Sequence, residues 1–355
     1  MTVQIPITAV AVRAADLGDP RECGRIDSYV AEHPDSQLFH RPQWSLAVAD
    51  GCGQRGHYLI AERPGRGLVG CLPLTDVRSF LFGRALVSAG FATGGGVIAD
   101  DAEAEAALLN AGWELARRLG CATLELRGGP MPADYSIRDD LYVGFVMDLP
   151  QGEEAILKAI KRRHRGVRRA RALGLTARIG TAAQDRADFL RVFGESVRNL
   201  GSPVYPRRLF DSMLDGFGEE ADIVTIFNGD RAVASVLNFY FKGAVMPYWG
   251  GGTAAARDCF GHELMYFEAM VNASRRGCTR FDFGRSKVGT GNHSFKMNWG
   301  IEPTPLRYGV RSIAGSAPRD INPLSPKNRL KVEAWKRLPL PAANLVGPWL
   351  ARGLG

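Results

Sequence analysis

Apolar and polar residues alternate along this chain in two similar strand-and-helix series. Residues 57–62 (HYLIAE) and 67–78 (GLVGCLPLTDVR) have the short β-rich pattern of paired strands, and the Pro-Gly-Arg between them, centred on Gly65, makes a turn. A third strand is predicted over 85–89 and leads to Gly94-Gly95-Gly96. Asp100 and Asp101 are placed to cap a helix over 102–119, and 122–127 returns as a strand in which Leu124, Glu125 and Leu126 alternate.

The same order recurs further on. Strands are predicted over 223–227, 232–241 and 245–249, with a Gly229-Asp230 turn between the first two. Gly250-Gly251-Gly252 then precedes a helix over about 258–276, which stops at Gly277, and 280–283 resumes as a strand. Gly96 and Gly252 lie 156 residues apart, and Cys121 and Cys278, in the matching segments Arg117–Leu126 and Arg275–Phe283, lie 157 apart. A near-constant offset across a whole β-β-β-α-β unit indicates an internal repeat. A strand meander followed by a helix crossover implies mixed sheets. The expected fold is therefore α/β with mixed (α+β) sheets in two tandem domains: 1–150, mainly structural, and 151–312, holding the reaction centre. A Pro-rich basic tail follows at 313–355.

A length of 355 residues accommodates two cores. The net charge of +8 favours anionic partners. Neither an apolar run of about 18 residues nor a signal-peptide pattern occurs, so the expected location is the cytoplasm, including the inner face of its membrane. The six cysteines are scattered, with no C-x-x-C pair and no histidine cluster, so they read as structural thiols and no metal is expected.

Both glycine triplets fit G-x-G-x-x-A, but each follows antiparallel strands, and the acid on the next strand, Glu125 or Asp282, comes about 30 residues later, too far for a dinucleotide fingerprint. Glycines before a helix can still offer free N–H groups to an anion or oxyanion. Gly284–Gly291 resembles a phosphate loop but lacks the Walker Lys-Ser/Thr after Gly289. It reads as a flexible segment carrying Arg285, Ser286 and Lys287 beside Asp282, with Lys296, Asn298 and Trp299 close behind. Residues 158–171 hold eight Lys/Arg, with Ile156, Ile160 and Val167 at helical spacing. This predicts an amphipathic helix whose Arg162, Arg165, Arg168 and Arg169 bind an anion. No G-x-S-x-G elbow and no Cys–His pair points to a covalent intermediate.

Four segments, FDFGRSKVGTGNHSFKMNWG (281–300), MPYWGGGTAAAR (246–257), ESVRNLGSPVYPRRLF (195–210) and the ending from Asn322, resemble the FemAB family associated with exosortase/PEP-CTERM systems. The second half more distantly resembles the BioF2-like acetyltransferase domain. The resemblance implies a tandem GNAT fold and acyl or aminoacyl transfer to an amine of a cell-envelope or exopolysaccharide precursor. Asp282 would be the base or acceptor orienter, and Tyr248 would wall the pocket. The backbone of Trp249, Gly250 and Gly251 would support the oxyanion. Arg285, Lys287 and Lys296 would hold phosphate, with Ser286, Asn298 and Trp299 completing the substrate site.

No tightly bound cofactor is expected. The segment Arg257–His262 departs from the usual CoA loop, Q/R-x-x-G-x-G/A, and no inserted helical hairpin is evident, which leaves acyl-CoA and aminoacyl-tRNA both open as donor. The expected partners are an anionic small molecule or glycan precursor, tRNA if it is the donor, and a peripheral membrane contact, without DNA. The alternative is a non-catalytic adaptor that binds an anionic glycan-lipid or RNA. For the tail, docking on the protein's own core is favoured over an anionic membrane surface, because Pro339, Pro341 and Pro348 interrupt any long amphipathic helix.

Overall fold

The structure, a computed structural model, describes residues 9–79, 83–160, 163–313 and 326–354, the last of these from 330 onward for side chains. The chain begins β1 (Ala11–Ala14), α1 (Pro20–Glu32), α2 (Pro42–Cys52), β2 (Arg55–Arg63), β3 (Gly67–Ser79), β4 (Gly83–Ser88), β5 (Ile98–Ala99), α3 (Ala102–Arg118), β6 (Thr123–Arg127) and β7 (Ser136–Arg138). It continues through β8 (Tyr142–Asp148), α4 (Glu153–Ala159), α5 (His164–Ala172), β9 (Thr176–Gly180), α6 (Ala183–Leu200) and α7 (Arg207–Phe217). Then come β10 (Ala221–Asn228), β11 (Arg231–Phe241), β12 (Ala244–Gly252), α8 (Gly261–Arg275), β13 (Arg280–Lys287), α9 (Gly291–Met297) and β14 (Thr304–Pro305). β15 (Tyr308–Ser312), α10 (Pro326–Lys336) and α11 (Leu340–Ala351) complete it.

Contacts divide the chain into two units. The first takes in residues up to 138, 307–321 and 352–355; the second takes in 139–306 and 322–351. The first sheet runs β1-β2-β3-β4-β6-β15-β7, with β5 added beside β3, and the second runs β9-β10-β11-β12-β13-β8-β14. Position by position the two orders are the same, which gives the internal repeat its structural form.

One strand in each sheet comes from an unexpected part of the chain. β8 lies before the boundary expected at 150, yet it pairs antiparallel with β13 in the second sheet; β15 lies within the expected second domain, yet it pairs with β6 in the first. Burial explains the exchange of β8, because Phe145 on that strand is fully buried within the second core.

Helix α3 starts where Asp101 accepts a bond from the Ala104 N–H at 3.0 Å, and it buries Ala104, Leu108, Leu109, Gly112 and Ala116. That spacing covers one helical face, and it packs against the first sheet. Helix α8 is more broadly buried, with Leu264, Met265, Phe267, Met270 and Val271 in the second core. The tail forms two helices that pack on α6. Close approach there requires small residues, since a Cβ on Gly194 of α6 would meet the Asn344 side-chain oxygen of α11 at 2.9 Å.

Candidate functional site

The parallel strands β12 and β13 stay together for only two register pairs, Ala244↔Arg280 and Val245↔Phe281. Beyond them β12 follows β11 to Gly252 while β13 follows β8 to Lys287, so the two strands part. Among the described residues no backbone bond joins their facing edges past this point. Each strand also carries a bulge beside the gap. On β12, Tyr248 is the extra residue between the pairs Leu237↔Trp249 and Asn238↔Pro247. On β13 the register slips between Asp282 and Arg285, where Gly284 adopts φ +70°, a conformation suited to glycine. Bulges of this kind re-aim side chains and end pairing, and they are frequent next to active sites.

The β13 bulge brings a carboxylate and a buried ammonium within electrostatic reach of each other. Asp282 accepts a bond from the Gly284 N–H at 2.7 Å. Burial raises its pKa, against the lowering effects of that bond and of the nearby Lys296. Lys296, projecting from α9, donates to the carbonyls of Phe283 (2.5 Å), Gly284 (3.2 Å) and Arg285 (3.0 Å). Burial holds its pKa down to about 8, although Asp282 acts to raise it. Lys296 therefore differs from the expected phosphate ligand: its three donors are taken by the carbonyls that the bulge turns toward it, and it clamps the β13 backbone.

The other expected site residues fall into distinct places. Arg285, Ser286 and Lys287 were expected on a flexible loop, but they lie on β13, which extends to Lys287 because β8 continues to pair with it. The Arg285 guanidinium lies over the Tyr142 ring at 4.5 Å. Ser286 is buried and its hydroxyl has no hydrogen-bond partner. Trp299 is a core residue packed on Phe283 and Tyr266, and its indole N–H is buried without a partner. Asn298 is exposed at the end of α9.

Trp249 is buried in an aromatic group with Phe210, Phe239 and Tyr205, so its ring serves the core. Tyr248 packs edge-on against it and stays half-buried at the bulge. Gly250 and Gly251, expected to precede a helix and to support an oxyanion through their backbone, end β12, because β11 remains paired through Gly252. Their lack of side chains has a packing reason. A Cβ on Gly251 would lie 2.1 Å from the Ser196 hydroxyl, and one on Gly252 would lie 2.7 Å from the His262 ring.

These contacts bring in residues the sequence reading missed. Glu195 on α6 accepts a bond from the Ala254 N–H at 2.9 Å and so holds the segment leaving β12. His262, on the first turn of α8, is kept neutral to lower pH by burial. Thr253 is buried with an unpartnered hydroxyl. The only sequence signal for Glu195 and Ser196 was their place in the ESVRNLG segment.

The basic segment forms two short helices, α4 and α5, in place of one continuous amphipathic helix; Arg162 lies outside the described residues. Part of its charge is internally matched. Arg163 pairs with Glu263 on α8 at 2.7 Å, and Arg171 pairs with Glu153 and Glu268. Arg165, Arg168 and Arg169 are exposed. Arg169 lies 5.5 Å over the ring of Phe260, the residue preceding α8, where no side chain caps the helix start. Arg169 thus lies beside the electropositive start of α8, whose first turn carries Glu263 paired with Arg163.

The corresponding place in the first unit is closed. β4 and β6 share the equivalent two pairs, Leu86↔Leu124 and Val87↔Glu125. There, however, the Arg127 N–H donates to the Ser88 hydroxyl at the end of β4 at 2.8 Å, and the Gly96 N–H, in the segment after β4, donates to the Arg127 carbonyl at 3.0 Å. Gln37 bonds the Gly95 N–H at 2.9 Å, and the Arg127 guanidinium is held by Ala92 and Glu125. A Cβ on Gly96 would meet the Gly128 carbonyl oxygen at 2.0 Å, and one on Gly94 or Gly95 would meet the side chain of Gln37 or Ala89, so close packing fills the space around the first glycine triplet.

Comparison with known proteins agrees with this geometry. Residues 158–297 match the Acetyltransferase (GNAT) domain family. The structure is similar to that of FemX, with a TM-score of 0.61 at 13% identity over 89% of this chain and 98% of that one. It is also similar to L-PGS from Bacillus licheniformis, with a TM-score of 0.53 at 14% identity over 90% of this chain and 98% of that one. A tandem GNAT protein from the clavulanic acid biosynthesis pathway aligns with a TM-score of 0.53 at 10% identity, over 87% of this chain and 100% of that one. No curated protein matches the sequence. The fold is a tandem GNAT fold with two mixed sheets, as expected.

Proposed function

We propose that the second unit is an N-acyltransferase that moves an acyl or aminoacyl group to an amine of a cell-envelope or exopolysaccharide precursor. The observation that carries this reading is the gap between β12 and β13, with a bulge on each side and Asp282 at its edge. Unpaired strand edges offer backbone N–H groups to a carbonyl whose oxygen becomes negative in the transition state. The match of residues 158–297 to an acetyltransferase domain supports the same class of chemistry.

In the reaction the acceptor nitrogen forms a bond to the acyl carbon, the carbon's bond to the carrier breaks, and the carrier leaves as a thiol or hydroxyl. The amine sheds one proton and the leaving group gains one. Asp282, with its pKa raised by burial, is a stronger base than an exposed carboxylate and is suited to accept that proton. Acyl-CoA and aminoacyl-tRNA both carry phosphates, and Arg169 beside the start of α8, with Arg165 and Arg168 exposed on the same helix α5, forms the surface on which a phosphate-bearing carrier would rest.

The test has two parts. Purified protein is given a panel of acyl-CoA and aminoacyl-tRNA donors with envelope precursors, and the surface polysaccharide of cells with and without the protein is compared by mass spectrometry. Asp282→Asn, which can still accept the Gly284 bond, is expected to lower turnover by about 10²–10⁴-fold. Full activity in a folded Asp282→Asn protein removes Asp282 from the mechanism. Precursor binding without consumption of any donor favours the adaptor reading.

A further inference from the structure

Helix α11 presents its residues in an unusual arrangement. The positions buried against the protein are small, Ala343, Gly347 and Ala351, one turn apart along a single face. The large apolar residues point the other way: Leu345 is 82% exposed, Trp349 54% and Val346 44%. Leu330 on α10 is 81% exposed as well. A helix that only covers α6 would have the opposite distribution, with large side chains inward and polar ones outward. No residue of α11 is charged. Lys331 on α10 and Arg337 just after it are exposed, and Glu333 on α10 is bonded to Lys336 at 2.8 Å. From Lys327 to the C-terminus, six Lys/Arg face one Glu in the sequence.

We infer that the outer face of α10 and α11 is a docking surface for an anionic phospholipid bilayer. The apolar stripe of Leu345, Val346 and Trp349 would enter the headgroup boundary, and Lys331 and Arg337 would meet lipid phosphates. Tryptophan and leucine beside lysine and arginine is the composition that settles at such an interface. A second copy of this chain fits less well, because a two-fold contact through this face would set its cationic rim against an identical one, whereas anionic headgroups neutralise it. Both helices are too short to cross a bilayer, and no described helix is long and apolar enough to do so.

The experiment is co-sedimentation of the full chain with vesicles of phosphatidylglycerol and phosphatidylcholine, and with phosphatidylcholine alone, at low and at about 0.5 M salt. Binding is expected to the anionic vesicles only, to weaken with salt, and to fall about tenfold or more in Leu345→Ser/Trp349→Ser. Circular dichroism checks that this variant folds; should it not, Leu345→Glu alone, at a site that is already exposed, takes its place. Failure of the wild-type chain to bind anionic vesicles overturns the inference, as does equal binding to neutral ones or unchanged binding by the variant. A concentration-dependent dimer in sedimentation velocity that the same substitutions abolish would assign the face to a second copy instead. The outcome is independent of transferase activity, since no donor is present.

Discussion

Replacing Lys296 by methionine keeps the length of the side chain and removes its charge, and the structure sets two opposing effects against each other. The three bonds to Phe283, Gly284 and Arg285 involve an ionised donor, each worth about 1.5–3 kcal/mol, or roughly 6 kcal/mol together. Against this, burial lowers the ammonium's pKa from 10.5 to about 8, so keeping it charged in the folded protein costs about 3 kcal/mol, which methionine avoids. The bonds outweigh the desolvation, and Lys296→Met is expected to destabilise the second unit by about 3 kcal/mol at pH 7, read from urea unfolding at unchanged m-value.

The same pKa difference fixes a pH signature. Between pH 8 and 10.5 the unfolded chain binds a proton at Lys296 that the folded chain has released, so wild-type stability rises with pH through this residue, by up to about 3 kcal/mol. The variant lacks that rise, so its deficit relative to wild type should grow across this window. A variant as stable as wild type at pH 7, or two parallel stability profiles from pH 8 to 10.5, would refute the reasoning.

Two further outcomes follow from the packing and from two partly buried histidines. Phe145→Ala, on the strand the second sheet takes from earlier in the chain, should cost about 3–5 kcal/mol, and hydrogen exchange should locate the loss in β13 and α8; a loss confined to residues before 139 would contradict the strand exchange. His57 and His262 both have pKa values lowered by burial, so below pH 6.5 the unfolded chain takes up protons the folded one does not, and stability should fall with acid by at most about 1.4 kcal/mol per pH unit for each, less for their partial exposure. Denaturation at pH 7 and 5.5 checks this, because a His57→Gln/His262→Gln protein should lose less stability between them than wild type.

Much of this architecture was legible in the chain itself. The hairpin strands around Gly65, the helix capped by Asp101, the stop at Gly277 and the repeat between the two halves are set by residues within a few positions of one another, through turn geometry, capping and the periodicity of apolar side chains. The basic run and Asp282 also stood out, because charge and chemical type are properties of single residues.

What tertiary structure decided was every relation between distant strands. The exchange of β8 and β15 between sheets depends on which edge each strand can pair with and which core can bury Phe145, and no local signal marks that choice. The parting of β12 from β13, and the bond from Gly96 to Arg127 that closes its counterpart, look alike in sequence as two glycine triplets. They differ because one triplet ends a paired strand, whereas in the other Gly96 packs against the backbone of Gly128. Lys296 read as a phosphate ligand because it follows Arg285 and Lys287 closely in a cation-rich segment; its three carbonyl partners exist only once the β13 bulge has turned them toward α9, which long-range pairing with β8 determines.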